Sequence, residues 1–412
     1  MNLSLHSSPH RFSLSISRPS RSHSSPTRCS SSSSSLPFAK DKAKYYGELE
    51  AAVDAVQRAC RLCVDVKRSL FSGDGRILEK NDQTPVTIAD FGVQALVSLE
   101  LSRLFPSIPL VAEEDSSFLR ANLAIPEGEE GHGRNLLVDS VFNAVIGKAS
   151  VGDKSLTHHD VLEAIDRGGQ DAFALGAEPA TYWVLDPIDG TRGFVKGSEA
   201  LYVVGLALVV EGEITLGVMG CPKWQEDHLP IKEASNEGWV VDKIDASGQG
   251  VIMFAHVGCG TWKKSLSEMQ DTTNRIHDGW VRCFVDEYSM VHEAKFCVSY
   301  GQSWESLPLS TLPSSTTDAD SIEDNRKVSL LPTCCGSLCK YLMVASGRAS
   351  VFILRVELQT AIKAWDHAAG MICVNEAGGQ VTDWKGSRLD LAVDQVGRRA
   401  IFPSGGVLVT NE

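Results

Sequence analysis

The chain has 412 residues, room for roughly one to three domains, and its 43% hydrophobic and 22% charged residues are those of a globular protein with a sizeable core. A formal net charge of −13 is spread along its length, which excludes a nucleic-acid polymer or an anionic membrane as partner, because both need basic patches. No apolar run approaches the ~20 residues that span a bilayer, and 11 cysteines in irregular spacing exclude a disulfide framework and a paired zinc site. Reduced, structural thiols are expected, with a redox switch as the alternative.

Residues 1–40 hold sixteen Ser, four Arg and no acidic side chain. That composition, without the apolar segment of a secretory signal, is that of a transit peptide for a mitochondrion or a chloroplast. The folded protein is expected to begin at Asp41. From there Ala52, Ala55, Val56, Ala59, Cys60, Cys63 and Val66 recur at helical intervals. A second helix is expected over about 90–104, followed by a strand at 108–112 that runs into Glu113-Glu114-Asp115.

Residues 116–180 read as a helical excursion, with His158-His159 as a solvated helix start. Tyr182–Leu185 reads as a buried strand, and 201–210 with 214–219 as a hairpin turning at Glu211-Gly212-Glu213. A new segment is expected to open near 256, at Gly258-Cys259-Gly260. Residues 308–325 read as a surface loop, and 338–345 and 365–376 as helices. Helices alternating with apolar strands point to mixed α and β layers in two domains, 41–255 and 256–412.

Three acidic clusters sit at strand ends or helix starts: Glu113-Glu114-Asp115, Asp186-Pro187-Ile188-Asp189-Gly190-Thr191, and Trp365-Asp366-His367. Asp82 and Asp90 form a fourth, between the first two helices. In the second cluster a buried strand runs straight into a carboxylate, Pro187 fixes the turn, and Asp189 returns another carboxylate. Two carboxylates on a rigid turn suit Mg²⁺, and the Ile188 carbonyl between them can add a neutral oxygen. Gly190 and Thr191 then offer N–H groups to a phosphate. An isolated Asp-Pro is usually an ordinary turn. The whole hexapeptide, flanked by the other clusters, reads as a metal and phosphate site.

Together, Asp186–Thr191 and Trp365-Asp-His-Ala-Ala-Gly370 resemble the paired signature of the inositol monophosphatase superfamily, lithium-sensitive, Mg²⁺-dependent phosphomonoesterases. From about residue 45 to the end the chain resembles in particular the 3′(2′),5′-bisphosphate nucleotidases. Lys80-Asn-Asp82-Gln-Thr-Pro85-Val-Thr87-Ile-Ala-Asp90, Val218-Met-Gly-Cys-Pro222 and Asn375-Glu-Ala-Gly-Gly379 carry that match. The resemblance implies an α+β domain and an α/β domain in a layered α-β-α-β-α sandwich, with the active site between them. It implies two to three Mg²⁺ ions on Glu113, Asp186, the Ile188 carbonyl, Asp189 and Asp366. It gives water activation to Asp82 and Thr191, and a polar position beside the metals to Asp90. Substrate contacts fall on Thr191, Ser337, Lys340, Arg355 and Asp366.

The metals, rather than a basic patch, would then draw an anionic substrate into an acidic protein. The implied reaction is hydrolysis of 3′-phosphoadenosine 5′-phosphate to AMP and phosphate. An inositol phosphate or sugar phosphate is the alternative substrate, and a catalytically silent nucleotide- or partner-binding relative is the alternative of another class. The chain departs from the nucleotidases at the Ser-His segment that meets the base: Ser299, Gln302 and Trp304 are found there, with no His. Oligomeric state is left open.

Overall fold

The computed structural model describes residues 35–69, 77–79, 85–123, 132–150, 155–170, 172, 180–196, 200–225, 250–267, 279–299, 329–333, 335–357 and 360–411. A short 3-10 turn at Lys40–Lys42 leads into α1 (Tyr46–Ser69), the paired strands β1 (Ile77–Glu79) and β2 (Pro85–Thr87), α2 (Ile88–Leu104) and β3 (Leu110–Ala112). Helices α3 (Ser117–Leu123), α4 (His132–Ile146) and α5 (His158–Asp166) precede β4 (Tyr182–Asp189) and the short α6 (Thr191–Lys196). Then come β5 (Val203–Val210), β6 (Glu213–Cys221), β7 (Val251–His256), β8 (Gly260–Ser265) and β9 (Val281–Cys283). The last stretch holds β10 (Lys295–Ser299), β11 (Ser329–Thr333), α7 (Leu338–Ala345), β12 (Val351–Arg355), β13 (Ile362–Lys363), α8 (Ala368–Glu376), β14 (Gln380–Asp383), β15 (Ala400–Ile401) and β16 (Gly406–Thr410).

Seven strands form one sheet in the order β3-β4-β5-β6-β7-β8-β9, and five form a second, β11-β10-β12-β16-β14. In the first only β3–β4 is parallel; in the second β10, β11 and β12 run parallel. Helices α1 and α2 cover one face of the seven-stranded sheet, while α7 and α8 lie between it and the five-stranded sheet. Two glycines of β6 allow this close stacking. A Cβ on Gly220 would stand 2.3 Å from the Cys60 Sγ of α1, and one on Gly217 would stand 2.5 Å from Ile372 of α8. The described residues thus form the α-β-α-β part of the expected sandwich; an outer helical layer beyond the second sheet is not among the described elements. No helix among them is long and apolar enough to cross a membrane.

Helix α1 follows its sequence pattern, burying Leu49, Ala52, Val53, Val56, Ala59, Cys60 and Cys63 on one face. Each large aliphatic side chain placed there contributes about 1.5–3 kcal/mol over an exposed position. Helix α2 is buried nearly all round, wrapped by α1, α4 and α5 and laid against β4. The β5–β6 hairpin turns where expected, with Glu211 at φ 52° and Gly212 at φ 89°, the paired left-handed residues that match strand twist.

Two boundaries differ from the sequence reading. The sheet continues through β8 and β9, so the expected division at 255/256 falls within a hairpin. Gly258 and Gly260, at φ 74° and 78°, are its turn residues rather than a linker. Residues 35–40, assigned by composition to the leader, pack on the body: Leu36 is buried, and Phe38 meets Tyr46 and Phe254 edge-on at 6.1 Å each. Serine density concealed two apolar anchors. The expected loop at 308–325 lies outside the described residues.

Candidate functional site

Strand β4 is buried along its whole length, with Tyr182 and Val184 facing the α7–α8 layer and Trp183 and Leu185 facing α1 and α2. A regular strand would send Asp186 and Asp189, three apart, to opposite faces. The pairing instead shifts between them: Asp186 lies opposite Gly205 and Asp189 opposite Val203, so β4 carries one extra residue. This is a β-bulge, and Pro187, which has no N–H to lose, is tolerated inside it. The bulge turns both carboxylates toward α7 and α8. Asp366, in the turn just before α8, completes a cluster whose ligand atoms all lie within 4.8 Å of one another.

Parallel pairing of Ala112 with Leu185 sets Glu113 level with Asp186 at the strand ends. Gln94, on α2, fixes the next residue. Its side-chain oxygen accepts from the Glu114 N–H at 2.8 Å, and its Nε2 donates to the carbonyls of Glu114 and of Ile165, the latter at 2.8 Å. The sequence reading missed Gln94, although it stands one helical turn beyond Asp90 and so shares a face with it. Asp90 itself is buried, and the Thr191 hydroxyl donates to it at 3.2 Å and to the Ile188 carbonyl at 3.0 Å. Asp82 lies outside the described residues, as do Gln302 and Trp304.

Asp189 has a second job that sequence did not reveal. Its carboxylate accepts the N–H groups of Ser337, at 3.0 Å, and Leu338, and so meets the N-terminus of α7. Gly336, at φ 76°, permits this approach, because a Cβ there would lie 2.3 Å from the carboxylate. Lys340 is buried, with its ammonium donating to the Gly336 carbonyl and lying 5.6 Å from the Phe352 ring centroid. Ser337 is thus the residue before α7, and its N–H faces Asp189. Arg355 ends β12 on the surface, stacked on Trp384 at 4.1 Å.

Burial, and then the neighbouring carboxylates of Asp189, Glu113, Asp366 and Asp90, push Asp186 well above the ordinary carboxylate range. Asp366 is driven the same way by burial, Asp189 and Glu113. Burial lifts Asp189 to about 6, with Lys340 and the α7 N–H groups pulling the other way. Asp186 Oδ1 is buried without a hydrogen-bond donor. A cluster this costly as bare anions fits a bound divalent cation, which would offset the mutual repulsion and supply the missing partner. His367, held neutral by burial with its pKa lowered to about 3, meets the Tyr341 hydroxyl through Nδ1 at 2.9 Å. It packs behind the cluster.

His158 opens α5 behind a Thr157–Asp160 capping box and bonds to Asp139 at 2.8 Å, a helix start as expected. Among the described residues eight cysteines are free, in line with the expected reduced thiols, while Cys335 is disulfide-bonded.

The profile of the inositol monophosphatase family matches residues 44–411. A protein of Arabidopsis thaliana, provisionally named a mitochondrial 3′(2′),5′-bisphosphate nucleotidase, is 60% identical over 376 residues, which are 91% of this chain and 86% of that protein. Another from the same plant, 3′,5′-bisphosphate nucleotidase 2, is 36% identical across 84% of this chain and 89% of its own length. Among solved structures, CysQ from Bacteroides thetaiotaomicron aligns over 89% of this chain and 98% of its own, with a TM-score of 0.49 and 18% identity.

Proposed function

The chain belongs to the inositol monophosphatase family, and from that membership we propose that it hydrolyses 3′-phosphoadenosine 5′-phosphate to AMP and phosphate. The observation that carries the chemistry is the cluster of buried Asp186 and Asp189 with half-buried Asp366, beside a Thr191 whose hydroxyl is held by Asp90 and by the Ile188 carbonyl of the same turn. The substrate is taken from the nucleotidase names of the relatives. Glu113, Asp186, the Ile188 carbonyl, Asp189 and Asp366 would hold two to three Mg²⁺ ions. Bound there, Mg²⁺ supplies Lewis-acid stabilisation of phosphoryl oxygens and acidifies a water.

The chain's own groups do the rest. Thr191 orients the attacking water through its hydroxyl, and Asp82 takes the proton, with Asp90 holding the Thr191 hydroxyl in place. The N–H groups of Gly190 and Thr191, at the turn into α6, would receive a phosphoryl oxygen. Chelation of divalent ions is expected to stop phosphate release from 3′-phosphoadenosine 5′-phosphate, and added Mg²⁺ to restore it. Undiminished turnover after chelation would remove metal chemistry from the reading.

Ser337, Lys340 and Arg355 are the proposed contacts for the phosphate that is not cleaved. One charge-assisted hydrogen bond contributes roughly 1.5–3 kcal/mol. Lys340→Ala is therefore expected to lower catalytic efficiency on the bisphosphate by about one to two decades, and to spare a substrate with one phosphate. Equal loss on both would assign Lys340 to balancing Asp189, its buried neighbour.

Residues 1–34 are proposed as a mitochondrial leader, on their acid-free Ser- and Arg-rich composition and the mitochondrial name of the 60%-identical relative. A fluorescent fusion of that segment is expected to enter mitochondria. Diffuse cytosolic signal would refute it.

A further inference from the structure

Glu113 and Asp366 are 253 residues apart in the chain, and both must be held at one point. Gln94 fixes Glu113 from its C-terminal side through Glu114. On its N-terminal side stands Arg399. The Arg399 Nη1 donates to the Ala112 carbonyl at 2.6 Å, and Nη2 donates to the Gly168 carbonyl at 2.6 Å. Gly168 in turn accepts the Ala112 N–H at 3.0 Å. The residue immediately before Glu113 is therefore locked through both its N–H and its carbonyl.

The same arginine reaches the other ligand loop. Its own carbonyl accepts the Ala364 N–H at 2.9 Å, two residues ahead of Asp366, where β13 pairs with β15. Its guanidinium lies 5.7 Å from the ring centroid of Trp365, the residue before Asp366. Asp394 fixes Arg399 in turn, accepting its N–H at 2.8 Å and that of Gly397 at 3.1 Å. None of these contacts involves a reacting atom.

We propose that Arg399 is a positioning residue that sets the separation of Glu113 from Asp366, and thereby the affinity of the site for divalent cations. The planar guanidinium is what the task needs. Two N–H donors bind two carbonyls on different segments while the cation lies 5.7 Å from an indole, and a lysine ammonium cannot do all three. The inference rests on the reading of the acidic cluster as a Mg²⁺ site.

The test is Mg²⁺ binding to the full folded chain by isothermal titration calorimetry, for the parent, Arg399→Lys and Arg399→Ala, beside the Mg²⁺ dependence of turnover. Losing a residue that orients a ligand typically costs 10–100-fold in metal affinity. Arg399→Lys is expected to weaken Mg²⁺ binding by about tenfold or more, and to raise the half-saturating Mg²⁺ concentration in step. Turnover at saturating Mg²⁺ should stay within about threefold of the parent, because no reacting contact is lost. Methylguanidinium added to Arg399→Ala should recover part of the Mg²⁺ affinity. Arg399→Lys decides the matter if Arg399→Ala does not fold. Parental Mg²⁺ affinity in a folded Arg399→Lys, even with a lower melting temperature, would overturn the proposal and leave Arg399 a packing residue. Absence of Mg²⁺ binding by the parent would overturn the metal-site reading itself, and the clamp with it.

Discussion

Asp186→Asn is expected to lower Mg²⁺-dependent phosphate release by more than about 100-fold, since even residues that only orient metal ligands cost 10–100-fold when lost. The same substitution should raise the melting temperature of the metal-free protein, by roughly 2 °C or more. Burial and four facing carboxylates hold the folded pKa of Asp186 above its unfolded value. The stability tied to such a group is full below the unfolded pKa of about 4 and is lost as pH rises through the raised folded value. At neutral pH the metal-free protein therefore carries a penalty that a neutral amide removes. Mg²⁺ at 100 times its dissociation constant would stabilise the parent by about 2.7 kcal/mol, and that increment should shrink in the variant. Thermal melts with and without Mg²⁺ read both effects. An unchanged or lower metal-free melting temperature together with near-parental turnover would dissolve the site.

Thr191→Ala should reduce turnover by about two to four decades, the range of positioned acid–base groups. Its hydroxyl lies 3.2 Å from Asp90 and 3.0 Å from the Ile188 carbonyl, contacts that hold it in one place. Thr191→Ser keeps that hydroxyl and is expected to stay within about tenfold of the parent. The backbone N–H groups of α6 survive both changes, so the Michaelis constant should move less than turnover. Equal losses in the two variants would mean that the methyl group and its packing matter, and not the hydroxyl.

The acidic cluster was legible because short-range grammar encodes its residues. A buried apolar strand running into Asp-Pro-Ile-Asp-Gly-Thr states strand and turn within ten residues. Pro187 read as the start of that turn, whereas β4 continues to Asp189 through a bulge that only the pairing with β5 defines. Long-range partners left weaker marks. Nothing local tells that Asp189 meets the start of α7, 148 residues later, beyond the left-handed Gly336 that makes room for it. Arg399 sits in a loop whose Asp394 and Gly397 announce a turn and say nothing of Ala112. The strands β8 and β9 were passed over because Gly258-Cys259-Gly260 reads equally as a joint or as a hairpin turn. Only the ladder between β7 and β8 decides.

The most direct measurement compares purified protein on 3′-phosphoadenosine 5′-phosphate and on inositol 1-phosphate, side by side, with and without Mg²⁺. Mg²⁺-dependent release from the nucleotide, at a catalytic efficiency at least about tenfold above that on the inositol phosphate, is the expected result; one unmade charge-assisted contact to the second phosphate accounts for that margin. Preference for the inositol phosphate would contradict the substrate assignment, and release from neither in the presence of Mg²⁺ would contradict the enzyme.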